Sequence, residues 1–109
     1  MTVQLPGPIE AYFDASNAGS ADAVAAAFTR DGEVRDEGGT HRGRDAIAAW
    51  AGDTISRYRM QADPLTAAGA GDRHAVTARV SGTFPGSPLV FTYHFDLASD
   101  AVQALEISL

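Results

Sequence analysis

Two stretches near the end of the chain alternate apolar and polar residues too long and too regularly to be helical. From His74 to Phe84, Val76, Ala78, Val80 and Phe84 fall on one side and Thr77, Arg79, Ser81 and Thr83 on the other. From Leu89 to Leu97, Leu89, Phe91, Tyr93, Phe95 and Leu97 oppose Val90, Thr92, His94 and Asp96. A period of two predicts β-strands with one buried and one exposed face. The stiff Pro85-Gly86-Ser87-Pro88 connection predicts that they pair. A final strand after Ser99-Asp100 carries Leu105, Ile107 and Leu109 on one side. Arg59 to Ala68 reads as a weaker strand, placed at an edge or bulged by Pro64, before a Gly69-Ala70-Gly71-Asp72 loop. Such a sheet needs something to cover its apolar face.

The first half supplies the cover. After a tail at residues 1–7, Pro8 opens a helix with Ile9, Tyr12, Phe13 and Ser16 on one stripe, stopped at Asn17-Ala18-Gly19. Ser20 caps a second helix bearing Val24, Ala27 and Phe28, which the Asp31-Gly32 turn ends. Glu33 to Glu37 alternates as a strand, Gly38-Gly39 turns, and Thr40 to Arg42 returns. Arg44 to Tyr58 is the strongest helix, with Ile47, Trp50, Ala51, Thr54, Ile55 and Tyr58 at helical spacing. The expected architecture is α+β: a single domain over 8–109 in which three N-terminal helices pack on a strongly curved, mostly antiparallel sheet, forming a cone with a pocket.

Charge and composition narrow the partners. Fourteen acidic residues against eight basic ones give a net charge of −6, which argues against nucleic acid and anionic membrane. All eight basic residues are arginine and cysteine is absent, so Schiff-base lysines, thiolate nucleophiles and Cys-ligated metals are excluded. The first twenty residues contain no long apolar run, so neither a signal peptide nor a membrane span is expected and a cytoplasmic location is the default. The three histidines lack metal-ligand spacing.

One residue breaks the inside-outside pattern. Asp36 shares a strand face with Val34, so a core-facing Val34 implies a carboxylate aimed into apolar surroundings. Burial disfavours the charged form and tunes such a group for proton chemistry. Tyr12, on the packed stripe of the first helix, is its natural companion. The competing reading pairs Asp36 with Arg35, Arg42 or Arg44 near the hairpin. Trp50, Phe84, Phe91 and Tyr93 are expected to wall the pocket. His41 either lines its mouth or is a solvated loop histidine, and His94 lies on the polar outer face.

The segments Ala11-Tyr12-Phe13-Asp14-Ala15-Ser16-Asn17, Phe28 through Asp36, Gly39 through Ile47, and Gly82-Thr83-Phe84-Pro85-Gly86 together resemble the nuclear transport factor 2-like superfamily. The likeness is to its SnoaL-like branch and the related ketosteroid isomerases. It implies a cystatin-like roll over residues 8 to 109. In the isomerases a strand aspartate acts as base, and a tyrosine of the first helix and a protonated aspartate hold the enolate. By motif these roles fall on Asp36 and Tyr12, while the second acid is replaced by Tyr93, whose larger ring shrinks the cavity and argues against a steroid. The late aspartate of SnoaL-type cyclases has no counterpart, since Asp96 lies on the polar face and Asp100 in a turn. The resemblance thus implies a cofactor-independent isomerase- or cyclase-like enzyme acting on a small apolar carbonyl compound. The alternative is a non-catalytic ligand-binding or dimerisation module. A homodimer is expected through the outer face built from Thr77, Ser81, Thr83, Val90, Thr92 and His94.

Overall fold

A computed structural model describes residues 3–109; the first two residues of the expected tail lie outside the described residues. The elements run α1 (Gly7–Asn17), α2 (Ala21–Ala26), β1 (Phe28–Asp36), β2 (Gly39–Arg42), α3 (Arg44–Tyr58), β3 (Gln61–Ala70), β4 (Arg73–Ser81), β5 (Leu89–Ala98) and β6 (Ala101–Ser108). The six strands form one sheet in the order β2-β1-β6-β5-β4-β3. All neighbours are antiparallel except β1 and β6. The helices cover one face, giving the α+β layering expected of this pattern.

The strand registers build the core in rows. Val76, Tyr93 and Ile107 lie side by side across β4, β5 and β6, and Phe95 pairs with Leu105, which in turn pairs with Val34 of β1. Alternation puts all of these on the helix side, and Val34, Val76, Phe95 and Leu105 are buried completely or nearly so. From the helix side, Ile9, Tyr12 and Phe13 recur at three and four residues on α1 and meet this surface. Tyr12 and Phe13 stand edge-on to Phe95, with ring centroids 5.6 and 5.9 Å away. Such geometry adds about 0.5–1.5 kcal/mol per pair beyond area burial.

Three local expectations are corrected. α2 ends at Ala26 and Phe28 already begins β1, so Phe28 is a fully buried strand residue and Asp31-Gly32 is no turn. The register slips between Phe28 and Glu33, a bulge in which Gly32 packs against Phe28; a Cβ at Gly32 would lie 3.0 Å from the Phe28 Cβ. Helical spacing and a bulged strand place Val24 and Phe28 on one side alike, which hides the boundary. Second, the hairpin turn is Glu37-Gly38, since Asp36 pairs with Gly39 and both turn residues have positive φ (53° and 77°). That is the two-residue turn whose twist suits a hairpin. Third, β4 stops at Ser81, so Phe84 belongs to the connection to β5.

The reading of β3 as an edge or bulged strand holds on both counts: it is last in the sheet and its register shifts between Pro64 and Thr66. Asn17, at the end of α1, holds this edge by accepting from the Ala62 N–H (2.8 Å) and donating to the Ala62 carbonyl (2.9 Å). Among the described residues no helix is long and apolar enough to cross a membrane.

Candidate functional site

The curvature of the sheet leaves a cavity of about 290 Å³ between α1, α3 and the inner face of β4–β6. Its inner end is formed by Tyr12, Tyr93, Val80 and Ile107, with Trp50 and Thr54 of α3 along one side. The half-buried Tyr58, Met60, Phe84 and Phe91 stand nearer the solvent, and Glu37 is exposed at the rim. Asp36 points into this space, beside the rim residue Glu37 and across from α3.

The arginines that could have neutralised Asp36 are engaged elsewhere. Glu33 takes both Arg42 (2.6 Å) and Arg35 (3.0 Å), and Arg44 donates to the Phe28 carbonyl at 3.0 Å. Strand alternation explains the choice: Glu33 and Arg35 share the outer face of β1, Arg42 pairs with Glu33 across the hairpin, and Asp36 lies on the opposite face. Asp36 instead accepts a hydrogen bond from the Trp50 indole N–H at 3.2 Å. Burial pushes its carboxyl above the ordinary aspartate value. Trp50 and the nearby His41 pull it back and Glu37 pushes it further up, leaving a net rise. A half-buried carboxyl held up in this way, with the Trp50 indole as its side-chain donor and no arginine partner, can exchange a proton with a bound molecule.

Two phenols accompany it. Tyr12 and Tyr93 are each only 4% exposed, and their rings lie 6.2 Å apart. Burial raises the Tyr12 phenol well above its usual range; the Tyr93 phenol and the Asp36 charge raise it further. Tyr93 is raised by burial and then by Asp36. Both are therefore protonated donors at neutral pH. Among the described residues no fully buried side-chain polar atom lacks a partner, yet neither phenol pairs with a protein group, so both hydroxyls open on the cavity.

The connection between β4 and β5 brings Phe84 back over the opening. Thr83 donates its N–H to the Tyr58 carbonyl (2.8 Å) and its hydroxyl to the Arg57 carbonyl (3.1 Å), and the Ser87 hydroxyl accepts from Gly82 N–H (2.9 Å). Phe84 then meets Tyr58 edge-on at 6.0 Å and Phe91 at 6.4 Å.

The structure thus gathers Asp36, Tyr12, Trp50, Phe84, Phe91 and Tyr93 around one cavity. His41 is not among its walls: it lies in a shallower outer groove, its ring tilted over the other side of Trp50 with centroids 6.1 Å apart. Its Nε2 would sit 3.5 Å from a Cβ at Gly39, so the ring fills the space opposite Asp36 that glycine leaves open. Among the lining residues that sequence reasoning did not assign to the site, Glu37 and Tyr58 stand at the opening, and Thr54, Met60, Val80, Pro85, Leu89 and Ile107 complete the walls. Placing Glu37 on the outer strand face with Glu33 hid it; the Glu37-Gly38 dipeptide, read as the turn itself, was the available signal. Among the described residues no cluster of His, Cys, Asp and Glu could hold a metal ion.

The chain matches the model of the SnoaL-like domain over residues 9–103. Among solved structures it is 38% identical to a provisionally named polyketide cyclase from Sinorhizobium meliloti, over 95% of both chains, with a TM-score of 0.91. A hypothetical protein from Catenulispora acidiphila with a ketosteroid isomerase-like fold, in complex with trimethylamine, superimposes with a TM-score of 0.87. It is 20% identical, over 97% of this chain and 87% of that one. An epoxide hydrolase/cyclase-like enzyme of pyran ring formation in the polyether salinomycin is 18% identical, over 93% and 86% of the two chains, with a TM-score of 0.81. At these lower identities the likeness is one of fold. No protein of curated function matches.

Proposed function

The chain belongs to the SnoaL-like domain family, and we propose that it is a cofactor-independent proton-transfer enzyme, isomerase- or cyclase-like, acting on a small, mostly apolar carbonyl compound in the cytoplasm. One observation carries the reading: a carboxyl raised by burial and two unpartnered buried phenols open on the same apolar cavity. Relatives alone do not carry it, because one holds an amine and another is named for epoxide and ring-forming chemistry.

In this reading Asp36 is the base. Its carboxylate removes a proton from the carbon next to the carbonyl; the C–H electron pair moves into a C=C bond and the carbonyl π pair onto oxygen. Tyr12 and Tyr93 donate hydrogen bonds to that oxygen where its charge grows, an interaction strengthened by a water-poor site. Asp36 then returns the proton, to the same carbon or, where a C=C beside that carbon extends the enolate into a dienolate, to the far end of the conjugated system, so no oxidant, reductant or cofactor is consumed. Trp50 steadies the carboxylate through its N–H, and Phe84 and Phe91 exclude water. A homodimer through the outer sheet face belongs to the same proposal: Val90 is 47% exposed there, among Thr92, His94 and Thr77. A Val90→Asp variant that shifts the sedimentation coefficient to that of a monomer tests that part.

The catalytic part is tested by incubating small apolar ketones with the protein in heavy water and following deuterium uptake next to the carbonyl by NMR. Uptake above the buffer rate that disappears in Asp36→Asn is expected. Equal uptake in the two proteins removes Asp36 as the base; binding without uptake leaves a ligand-binding module.

A further inference from the structure

Asp36 borders two spaces. With Glu37 and Trp50 it belongs both to the wall of the cavity and to that of the outer groove, where His41, Asp53 and Arg57 lie. The hairpin register sets His41 behind the carboxyl: Val34 pairs with His41 and Asp36 with Gly39, so Asp36 and His41 share one face of β1–β2. Directly opposite Cβ atoms in an antiparallel pair stand about 4.5–5.5 Å apart, and the place opposite Asp36 belongs to a glycine. An ideal Cβ there would meet the His41 Nε2 at 3.5 Å, so the ring nitrogen reaches into the gap across from the carboxyl, within the span of one bridging water. The other ionisable groups of the groove are engaged: Arg57 holds Asp53 at 3.2 Å, and Glu37 accepts from the Tyr58 hydroxyl. On the cavity side Tyr12 and Tyr93 face Asp36, and burial keeps both phenols protonated.

We infer that Asp36 exchanges its proton with bulk water through His41, from the groove, while a ligand fills the cavity. This rests on the reading of Asp36 as the base and gives its proton a second route. His41 touches no substrate; it is a positioning residue that acts through Asp36. The protonated carboxyl gives its proton to the bridging water as that water gives one to Nε2, and the imidazolium so formed releases a proton to water in the groove. Asp36 is left as the carboxylate, and the same steps reversed bring a solvent proton in. A proton taken from the substrate is thereby swapped for a solvent one before it returns to carbon. Without this route a bound ligand seals the cavity side of the carboxyl, and the proton goes back to the molecule it came from. Burial raises the Asp36 carboxyl and the charge of His41 is among the influences that pull it back, as their proximity requires.

Cyclohex-3-en-1-one in heavy water reads the swap. Asp36 takes a proton from the carbon between the carbonyl and the C=C and returns one to the far end of the dienolate, giving cyclohex-2-en-1-one. Deuterium at that far carbon, measured by NMR over the first turnovers, is the fraction exchanged on Asp36. The parent is expected to give mostly deuterated product. His41→Gln, polar but unable to ionise, is expected to lower the deuterated fraction several-fold, and imidazole added to His41→Ala to restore it. A slower or less stable variant does not by itself change this ratio. A second measurement needs no turnover: a carbon-13 titration of the Asp36 carboxyl is expected to show a step at the pH where the ring nitrogens of His41 titrate, and His41→Gln to lose it. Equal deuterated fractions in the parent and His41→Gln, or no such step in the parent, overturns the inference and leaves Asp36 as the base. The step without Asp36-dependent turnover of any ketone joins His41 to Asp36 and removes the proton-transfer reading instead.

Discussion

Replacing Tyr12 by phenylalanine separates what the phenol does for the fold from what it does for the site. The ring is anchored on four sides, by Phe13, Phe28, Tyr93 and Phe95 at centroid distances of 5.2 to 6.2 Å, and phenylalanine keeps all of these contacts. Only the hydroxyl is lost. Burying a hydroxyl without a partner costs about 1–3 kcal/mol by protein mutational data, and this one opens on a cavity rather than on solid core, so the cost is at most about half of the upper figure. Tyr12→Phe is therefore expected to leave stability unchanged or raise it by up to about 1.5 kcal/mol. At about 4–8 °C per kcal/mol for a domain of this size, that corresponds to a rise in Tm between zero and about 10 °C in scanning calorimetry. Losing one oxyanion donor costs about 10²–10³-fold in rate, and Tyr93 remains as a second donor, so Asp36-dependent deuterium uptake is expected to fall by about 10²-fold. A fall in Tm of several degrees, with the near-ultraviolet dichroism of the other aromatics retained, refutes the reasoning, because it shows that the hydroxyl has a structural partner. An unchanged uptake rate refutes the other half, placing Tyr12 away from the reacting oxygen.

The carboxyl at the site gives a stability signature of definite sign. Because the folded-state value of Asp36 is raised, the folded protein binds its proton more tightly than the unfolded chain does; the stability this contributes is fully present below the unfolded value and is lost as pH rises through the folded one. Asp36→Asn is thus expected to melt above the parent at pH 7, with the advantage shrinking toward pH 3, and the reverse order at pH 7 counts against a desolvated carboxyl. Trp50→Phe removes the 3.2 Å N–H donor that lowers Asp36, so a carbon-13 titration of the carboxyl is expected to move further up; a downward move shows that the indole does not bond the carboxylate. At Gly82, a Cβ would stand 2.5 Å from the Tyr58 carbonyl oxygen, so Gly82→Ala is expected to cost about 1–3 kcal/mol in urea unfolding and to weaken ligand binding by displacing Phe84. Glu33 is lowered by its bonds to Arg42 and then Arg35, so its contribution is present above the unfolded value and lost as pH falls; Glu33→Gln is expected to flatten the acid limb of the stability curve.

Alternation along the chain was enough to define β5 and to place Val34 and Asp36 on one face of β1, because a strand's period of two leaves no freedom about which side a residue takes. Helical spacing likewise set α3 at Arg44–Tyr58 with Trp50 inward, and Pro64 marked the edge strand, since it cannot donate to a second neighbour. What spacing could not supply is the choice among partners that a folded chain brings within reach. Arg42 was open to Asp36 or Glu33 by sequence distance alone, and the pairing of Glu33 with Arg42 across the hairpin settled it. One positive φ at Glu37 turned a residue read as outward strand into the rim of the cavity, and bonds from the Thr83 N–H and hydroxyl to carbonyls at the end of α3 returned Phe84 to a wall that its strand had already left. Periodicity is a local property written into each segment. Whether Asp36 keeps its charge to itself, and what surrounds it, depends on groups contributed by α1, α3 and the far strands, and only packing brings those together.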